Sequence, residues 1–129
     1  MKSEGLTKTF IADETIAANL IVKIGSAAGY VGVADAATDL VLGVADSLGA
    51  ASAGDNCDVI LGGIAWVKAG DTITLGDWLT AESGGRAVAA APAATATANV
   101  IGRALAGAAD GDLIPVLLGL QSLTNGANS

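Results

Sequence analysis

Histidine is absent from this chain of 129 residues, and cysteine occurs once, at Cys57. Structural zinc sites are built from cysteine and histidine, and the common nucleophilic sites place a histidine beside a serine or a cysteine. Both kinds of site are therefore excluded by the residues available. A single cysteine also cannot form a disulfide within the chain.

Aromatic side chains are scarce as well. Phe, Trp and Tyr make up 3% of the chain although 52% of it is apolar, and 18 residues are glycine. The apolar residues are mostly Ala, Val, Leu and Ile, which bury little area each. The hydrophobic contribution to the stability of one copy is therefore small, and we expect subunit association to supply part of the stability.

The charge balance is acidic, with 6 basic residues scattered singly against 13 acidic ones and a net charge of −7. Nucleic-acid binding normally needs clustered Lys and Arg, so we expect no nucleic-acid partner. No apolar run reaches the roughly 18 to 20 residues of a membrane helix, so we expect no membrane partner. Residues 1–14 are too polar for a secretory signal, which predicts synthesis in the cytoplasm.

One phrase occurs twice. Residues 42–62 read LGVADSLGAASAGDNCDVILG, and residues 101–119 read IGRALAGAADGDLIPVLLG. In each copy a glycine follows an apolar residue in a short strand, small residues form a turn, and Gly-Asp leads into an apolar strand. Ala69-Gly70-Asp71 is a shorter echo. Such a strand–turn–strand repeat is typical of a β-barrel or β-sandwich, because each hairpin needs the next to bury its apolar face.

The alternation of apolar runs with Gly and Asp turns predicts an all-β fold of about eight to ten short strands, a small β-barrel or β-sandwich. Residues 72–75 are predicted to be one strand, because threonine alternates there with isoleucine and leucine. Residues 77–81 and 86–90 flank Ser83-Gly84-Gly85 and are predicted to form a hairpin.

Two prolines constrain this scheme. The alanine-rich segment 87–98 contains Pro92 and β-branched threonines, so we interpret it as a strand end followed by an extended loop rather than a helix. Pro115 lacks an amide donor, which predicts that the last strand lies at a sheet edge or carries a bulge there.

The sequence predicts one domain with two polar ends: an N-terminal arm at 1–14, a β-domain at 15–120 and a C-terminal tail at 121–129. Both ends are expected to be flexible. The arm is either a frayed terminus or an extended segment that docks on a neighbouring subunit.

The remaining motifs have structural interpretations. Ten aspartates are spread over turns without the spacing of a calcium-binding loop. No carboxylate pair suggests a glycosidase, and no phosphate-binding loop occurs. Cys57 is expected to be a partly buried, inert thiol. We therefore predict no catalytic residue, no cofactor-binding residue, no metal ligand and no cofactor.

Trp66 and Trp78 are two of four aromatic residues in the chain. In a core so poor in large side chains we expect them to act as anchors. Alternatively, one of them lies at a subunit interface, where tryptophan is enriched.

The order of these phrases resembles that of the small phage capsid cement or decoration proteins of the DUF2190 type. The resemblance covers about residues 9–120 and rests on LIVKIG, LVLGVADS, AGDNCDVILGGIAWVKAG, Gly-Asp-Trp-Leu and the closing IGRALAGAADGDLIPVLLG. It implies a non-enzymatic structural protein that binds the major capsid protein on the outer surface of expanded tailed-phage heads. It also implies a homo-oligomer, a trimer rather than a dimer, made in the cytoplasm of the host bacterium.

Two other classes stay open. A receptor- or glycan-binding β-domain of a virion surface protein would need exposed aromatic rings for stacking. A small enzyme is disfavoured by the missing histidine and the missing cluster of metal ligands.

Overall fold

The computed structural model describes residues 6–90 and 97–124. Within them the protein is all-β, with ten strands and no helix, which confirms the predicted fold class. The strands are β1 (Thr7–Ala12), β2 (Ile21–Ile24), β3 (Tyr30–Val33), β4 (Val41–Ala45), β5 (Asn56–Ile60), β6 (Ile64–Lys68), β7 (Trp78–Ala81), β8 (Ala87–Ala89), β9 (Thr97–Ala104) and β10 (Leu113–Thr124).

The strands form two five-stranded units. β1, β3, β2, β4 and β5 close a barrel in that order. β6, β10, β9, β7 and β8 form a second sheet, and a parallel bridge between Ala69 and Ala87 brings the chain after β6 alongside β8. The second sheet therefore curls towards closure as well. We call residues 6–61 the first barrel and the described residues from 62 onward the second barrel.

The second barrel repeats the first, strand for strand. The antiparallel pairs β1–β5, β4–β5, β2–β4 and β2–β3 recur as β6–β10, β9–β10, β7–β9 and β7–β8. An isolated bridge between Ile16 and Ala50 recurs between Ile73 and Ala108. The phrase that occurs twice in the sequence is therefore the last hairpin of a duplicated five-stranded unit.

Gly-Asp builds the same turn in both barrels. Gly54 and Gly111 both have a φ of 91°, a left-handed conformation that glycine adopts without the clash of a Cβ. The aspartate after each glycine accepts a hydrogen bond from an amide three residues earlier, at 3.2 Å for Asp55 and 3.0 Å for Asp112. The carboxylates thus hold the turns in place.

The third turn of this kind is Gly76-Asp77 rather than the expected Gly70-Asp71. Gly76 has a φ of 91°, and Asp77 accepts a hydrogen bond from the Thr74 amide at 2.9 Å. The predicted strand at 72–75 is wrong for the same reason. The chain there enters the turn, and only Ile73 makes a β-bridge.

Pro115 lies in a central strand, so its predicted edge position is wrong. β10 pairs with β6 on one side and with β9 on the other, and its register shifts between Leu118 and Gln121 rather than at the proline. The Pro115 carbonyl accepts a hydrogen bond from the Leu105 amide at 3.0 Å. The nitrogen of residue 115 faces the same side, opposite Leu105 just beyond the end of β9, so the proline omits only the reciprocal hydrogen bond at the end of that ladder.

The strands extend beyond both boundaries that the sequence suggested for the β-domain. β1 starts at Thr7 and pairs with β5, and the main chain of β10 continues to Thr124. In the sequence, Thr7 and Thr9 alternate with Lys8 and Phe10. This pattern is too short to distinguish a strand from a polar terminus, so β1 was not predicted. A docking role for residues 1–14 stays a prediction. Residues 91–96, which make up most of the predicted extended loop, lie outside the described residues.

Two clusters of buried aliphatic side chains form the core. One fills the first barrel and includes Ile16, Val22 and Val59. The other fills the second barrel and continues across the contact between the barrels, because it also contains Ile21 and Val44 of the first barrel. Among the described residues no aromatic side chain is buried.

Asparagine side chains tie the barrels together. Asn19 has a φ of 64°; its carbonyl accepts a hydrogen bond from the Lys68 amide, and its Nδ2 donates to the Trp66 carbonyl, both at 3.0 Å. From the second barrel, Asn99 Nδ2 donates to the Asp39 carbonyl at 2.8 Å. Among the described residues no strand of one barrel pairs with a strand of the other, and these hydrogen bonds join the barrels instead.

Gly102 offers a test of strand packing. Register shifts on both sides of β9 surround this residue, and a Cβ there would collide with the Leu117 carbonyl. We predict that Gly102→Ala lowers the free energy of unfolding by about 2 to 4 kcal/mol. Gly119→Ala is the control, since no atom lies within 4 Å of a Cβ there. Urea unfolding should show less than about 0.5 kcal/mol for the control; equal effects would contradict the account.

Asn19 tests the link between the barrels. Asn19→Ala removes the donor to Trp66 and keeps a Cβ at a left-handed φ, so we predict a loss of about 2 to 3 kcal/mol in the free energy of unfolding. Asn19→Gly also removes the donor but relieves the backbone strain, so its loss should be about 1 kcal/mol smaller. Thermal and urea unfolding measure both. A glycine variant as unstable as the alanine variant would show that the backbone conformation is not strained.

Candidate interaction surface

The described residues bring together no reactive cluster. No group of three or more Asp, Glu or Cys side chains within 6–90 and 97–124 is placed to hold a metal ion. An open cavity of about 410 Å³ lies between the segment before β2 and the β7–β8 hairpin, lined in part by Lys68, Glu82 and Arg86. Arg86 is paired there with Asp110 at 3.3 Å. The predicted lack of catalytic, cofactor-binding and metal-binding residues remains a prediction.

Cys57 lies in β5 and is fully buried in the core of the first barrel. Burial raises the pKa of its thiol, and the nearby carboxylates of Asp58 and Asp46 raise it further. Both effects disfavour the thiolate, which is the nucleophilic form. The side chain therefore packs as a small apolar group.

Charge is distributed unevenly between the two barrels. The first barrel contains seven acidic and two basic residues, and the described part of the second contains five acidic and three basic ones. All five acidic residues of the second barrel lie between strands, so its strands contain Lys68 and Arg103 and no acid. The first barrel is thus the more acidic half, and the sheet of the second presents only positive charge.

The β3–β4 loop of the first barrel is organised by Asp39. Its carboxylate accepts hydrogen bonds from the Asp35 amide at 2.7 Å and the Ala36 amide at 3.2 Å, and it lies 3.7 Å from Lys23 Nζ. The Asp35 amide contributes most to lowering the pKa of this carboxyl, and the Lys23 charge adds to it. These contacts fix the conformation of the β3–β4 loop at the point where Asn99 Nδ2 donates to the Asp39 carbonyl.

The expectation that the two tryptophans anchor the core is wrong. Trp66 and Trp78 are both half-buried on the outer face of the second barrel. The side chain of Arg103 lies over the Trp78 ring at 4.3 Å from its centre. Trp66 lies between the buried Ala65 and Val67, and Trp78 precedes the buried Leu79, so the alternation along each strand turns both rings outward.

The outer face of the second barrel contains a row of side chains in register across three strands. Trp78 pairs with Arg103, and Arg103 pairs with Leu117, so the three lie side by side. Ile64 pairs with Leu117 and extends the row onto β6. Leu117 is 50% exposed, and Ile64 and Arg103 are also exposed. We call Trp78, Arg103 and Leu117 the open row.

The first barrel has the same row, but there it is covered. Ile21 pairs with Val44, and Val44 with Ile60, in the places that Trp78, Arg103 and Leu117 hold in the second barrel. Ile60 is only 2% exposed, because β4 lies against β6, β9 and β10 of the second barrel. We call Ile21, Val44 and Ile60 the covered row. Sequence reasoning missed both rows, since it recognised only part of the duplication.

The most distinctive feature of the described residues is thus a surface, an exposed row at a position that the first barrel buries. A sequence model of the phage cement protein family matches residues 2–120, almost the whole chain. The chain belongs to that family, and the protein is a structural component of the phage capsid. The resemblance noted in the sequence is thereby confirmed.

The fold has a counterpart among solved structures. The crystal structure of the head fiber gp8.5 N base of bacteriophage phi29 matches with a TM-score of 0.58 and 21% sequence identity. The match covers 93% of this chain and 98% of that one. At this identity it establishes a shared fold. No curated protein matches the chain.

Cys57 provides a test of how tightly the first barrel is packed. With its pKa raised and its side chain buried, the thiol should react with a disulfide reagent at pH 8 at least about a hundredfold more slowly than in urea-unfolded protein. The absorbance of the released thiolate follows the reaction. Equal rates in the folded and unfolded protein would show that the first barrel opens readily.

Proposed function

We propose that the protein is a cement protein that binds the major capsid protein on the outer surface of the expanded phage head and stabilises the shell. The observation that carries this proposal is the family match over residues 2–120. The shared fold with the base of a phage head fiber supports it, because that protein too is part of a phage head. We propose further that the protein acts without catalysis and is made in the cytoplasm of the host bacterium.

The physical properties of the chain support this role. A net charge of −7 keeps free copies apart and away from nucleic acid before assembly. Within the described residues no helix is long and apolar enough to cross a membrane. On a shell, many identical weak contacts can add up to firm attachment, so each copy needs only a modest binding surface.

We also propose that the protein works as a homo-oligomer, a trimer rather than a dimer. The buried side chains are aliphatic and small, so the core of one copy contributes little hydrophobic stability. Association with further copies would add to it. The exposed side chains of the open row offer apolar surface for it. Residues 1–14 are a further proposed contact with neighbouring subunits.

The receptor- or glycan-binding alternative has less support. Sugar binding needs an open aromatic face, and the guanidinium of Arg103 lies over the Trp78 ring. The family and the shared fold both relate the chain to the phage head instead.

Co-sedimentation with purified heads tests the proposed function. We predict saturable binding to expanded heads and at least tenfold weaker binding to unexpanded proheads, with one oligomer per local threefold position. Proheads serve as the matched control because they contain the same capsid protein in another arrangement. Failure to bind expanded heads would overturn the proposal.

A further inference from the structure

The first barrel is closed along a seam between β1 and β3. At this seam the strands pair in parallel, and the Ile11 amide donates a hydrogen bond to the Gly29 carbonyl at 2.9 Å. By the register of the parallel bridge that joins the chain after β6 to β8, the counterparts of these residues in the second barrel are Lys68 and Gly85. Each of the two bonds to the first barrel instead, so the seam of the second barrel is open at this point.

Residues of the first barrel occupy the open seam. The Lys68 amide donates to the Asn19 carbonyl at 3.0 Å, and the Gly85 carbonyl accepts from the Ile21 amide at 2.8 Å. The inserted chain separates the end of β6 from the β7–β8 hairpin, and the open cavity of about 410 Å³ is lined by residues of both barrels. The cavity therefore exists only where the two barrels meet.

A carboxylate that the first barrel provides at its seam is missing from the second barrel. The Asp13 carboxylate accepts hydrogen bonds from the Ser26 amide at 2.7 Å and from the Ser26 hydroxyl at 2.9 Å. Gly70 is the counterpart of Asp13, because each amide donates across its seam at 2.8 Å. Ser83, the counterpart of Ser26, lines the cavity. Among the described residues neither its amide nor its hydroxyl has a hydrogen-bond partner.

Lys68 adds an unpaired positive charge to the cavity. Of the other basic side chains in the described part of the chain, two form ion pairs and two lie over aromatic rings. Lys68 Nζ has neither kind of partner there, although the side chain is half-buried. Arg86 lines the cavity too and is shared with Asp110 at 3.3 Å. The cavity thus combines free donors with positive charge.

Glu82 is an acidic residue in the cavity wall. It reaches towards the place of the missing carboxylate from the opposite strand, since a Cβ at Gly70 would collide with Glu82 Oε2. Its carboxylate accepts no hydrogen bond from Ser83 and pairs with no basic side chain of the described residues. Glu82 therefore does not replace Asp13 as an acceptor, and its charge opposes an incoming carboxylate.

We propose that this cavity binds a carboxylate of the major capsid protein, the side chain of an Asp or Glu on an exposed loop. The carboxylate takes the place that Asp13 holds in the first barrel, accepts from the Ser83 amide and hydroxyl, and pairs with Lys68. This inference rests on the proposed function and names a contact for it. The cavity lies at the hairpin end of β7 and Trp78 at the other end, so the open row stays available for association between copies.

Variants of Lys68 and Glu82 test the inference in opposite directions, by co-sedimentation with expanded heads. Lys68→Ala should raise the dissociation constant about tenfold, while Lys68→Arg keeps the charge and should stay within about threefold. Glu82→Gln removes the opposing charge and keeps the shape, so it should tighten binding about threefold. A loss of folding cannot produce tighter binding.

Ser83→Ala and Ser26→Ala are a matched pair. Ser83→Ala removes a donor to the bound carboxylate and should weaken head binding about threefold. Ser26→Ala removes the donor to Asp13 within the chain and should leave head binding unchanged, with circular dichroism as the check on folding. Unchanged binding by Lys68→Ala, or weaker binding by Glu82→Gln, would overturn the inference.

The unmodified protein separates this inference from the proposed function. If it binds expanded heads and the Lys68, Glu82 and Ser83 variants bind equally well, the carboxylate site is overturned and the cement role stands. If the unmodified protein does not bind heads, the proposed function itself fails. Sedimentation velocity of Lys68→Ala tests the other source of a carboxylate: an oligomer that dissociates would assign the site to a second copy and overturn the capsid contact.

Discussion

Coverage of one apolar row is the constraint on which the rest of this structure depends. A barrel of five short strands lined by valine, isoleucine and alanine buries little apolar area, so its stability alone is marginal. Ile21, Val44 and Ile60 add a second layer, because the second barrel covers them and joins them to its own core. Duplication of the unit thus provides the partner that a single small barrel lacks.

The two barrels have diverged where their surroundings differ. Asn19 and Gly76 hold the same left-handed position, but only Asn19 faces another barrel, and its side chain bonds to β6. A Cβ at Gly76 would meet nothing within 4 Å. Likewise Ile60 is buried while Leu117 is half exposed. These differences follow from which surface of each barrel is used in the contact within the chain.

Much of the fold could be predicted from the sequence, because its signals are local. The Gly-Asp turns need glycine at a positive φ and a carboxylate at a fixed offset, so they are visible in the printed residues. Most strands followed from these turns. The segment before Gly76 was mispredicted because Gly70-Asp71, rather than Gly76-Asp77, was expected to form the turn. The central position of Pro115 depends on which strands flank β10, which the local pattern does not show.

The surfaces could not be read from the sequence at all. Trp78, Arg103 and Leu117 are separated along the chain by 25 and 14 positions, and only the register of three strands places them side by side. The scarcity of aromatic residues suggested that tryptophan belongs in the core, but the inward positions of those strands are occupied by Ala65, Val67 and Leu79. The likeness to cement proteins was visible in the order of short phrases, because each phrase is a local pattern of small and apolar residues.

A cryo-electron microscopy reconstruction of expanded heads carrying the protein tests the central claim most directly. The account predicts density for the protein on the outer surface of the shell, in contact with the major capsid protein. Heads with no density for the protein on their outer surface would contradict it.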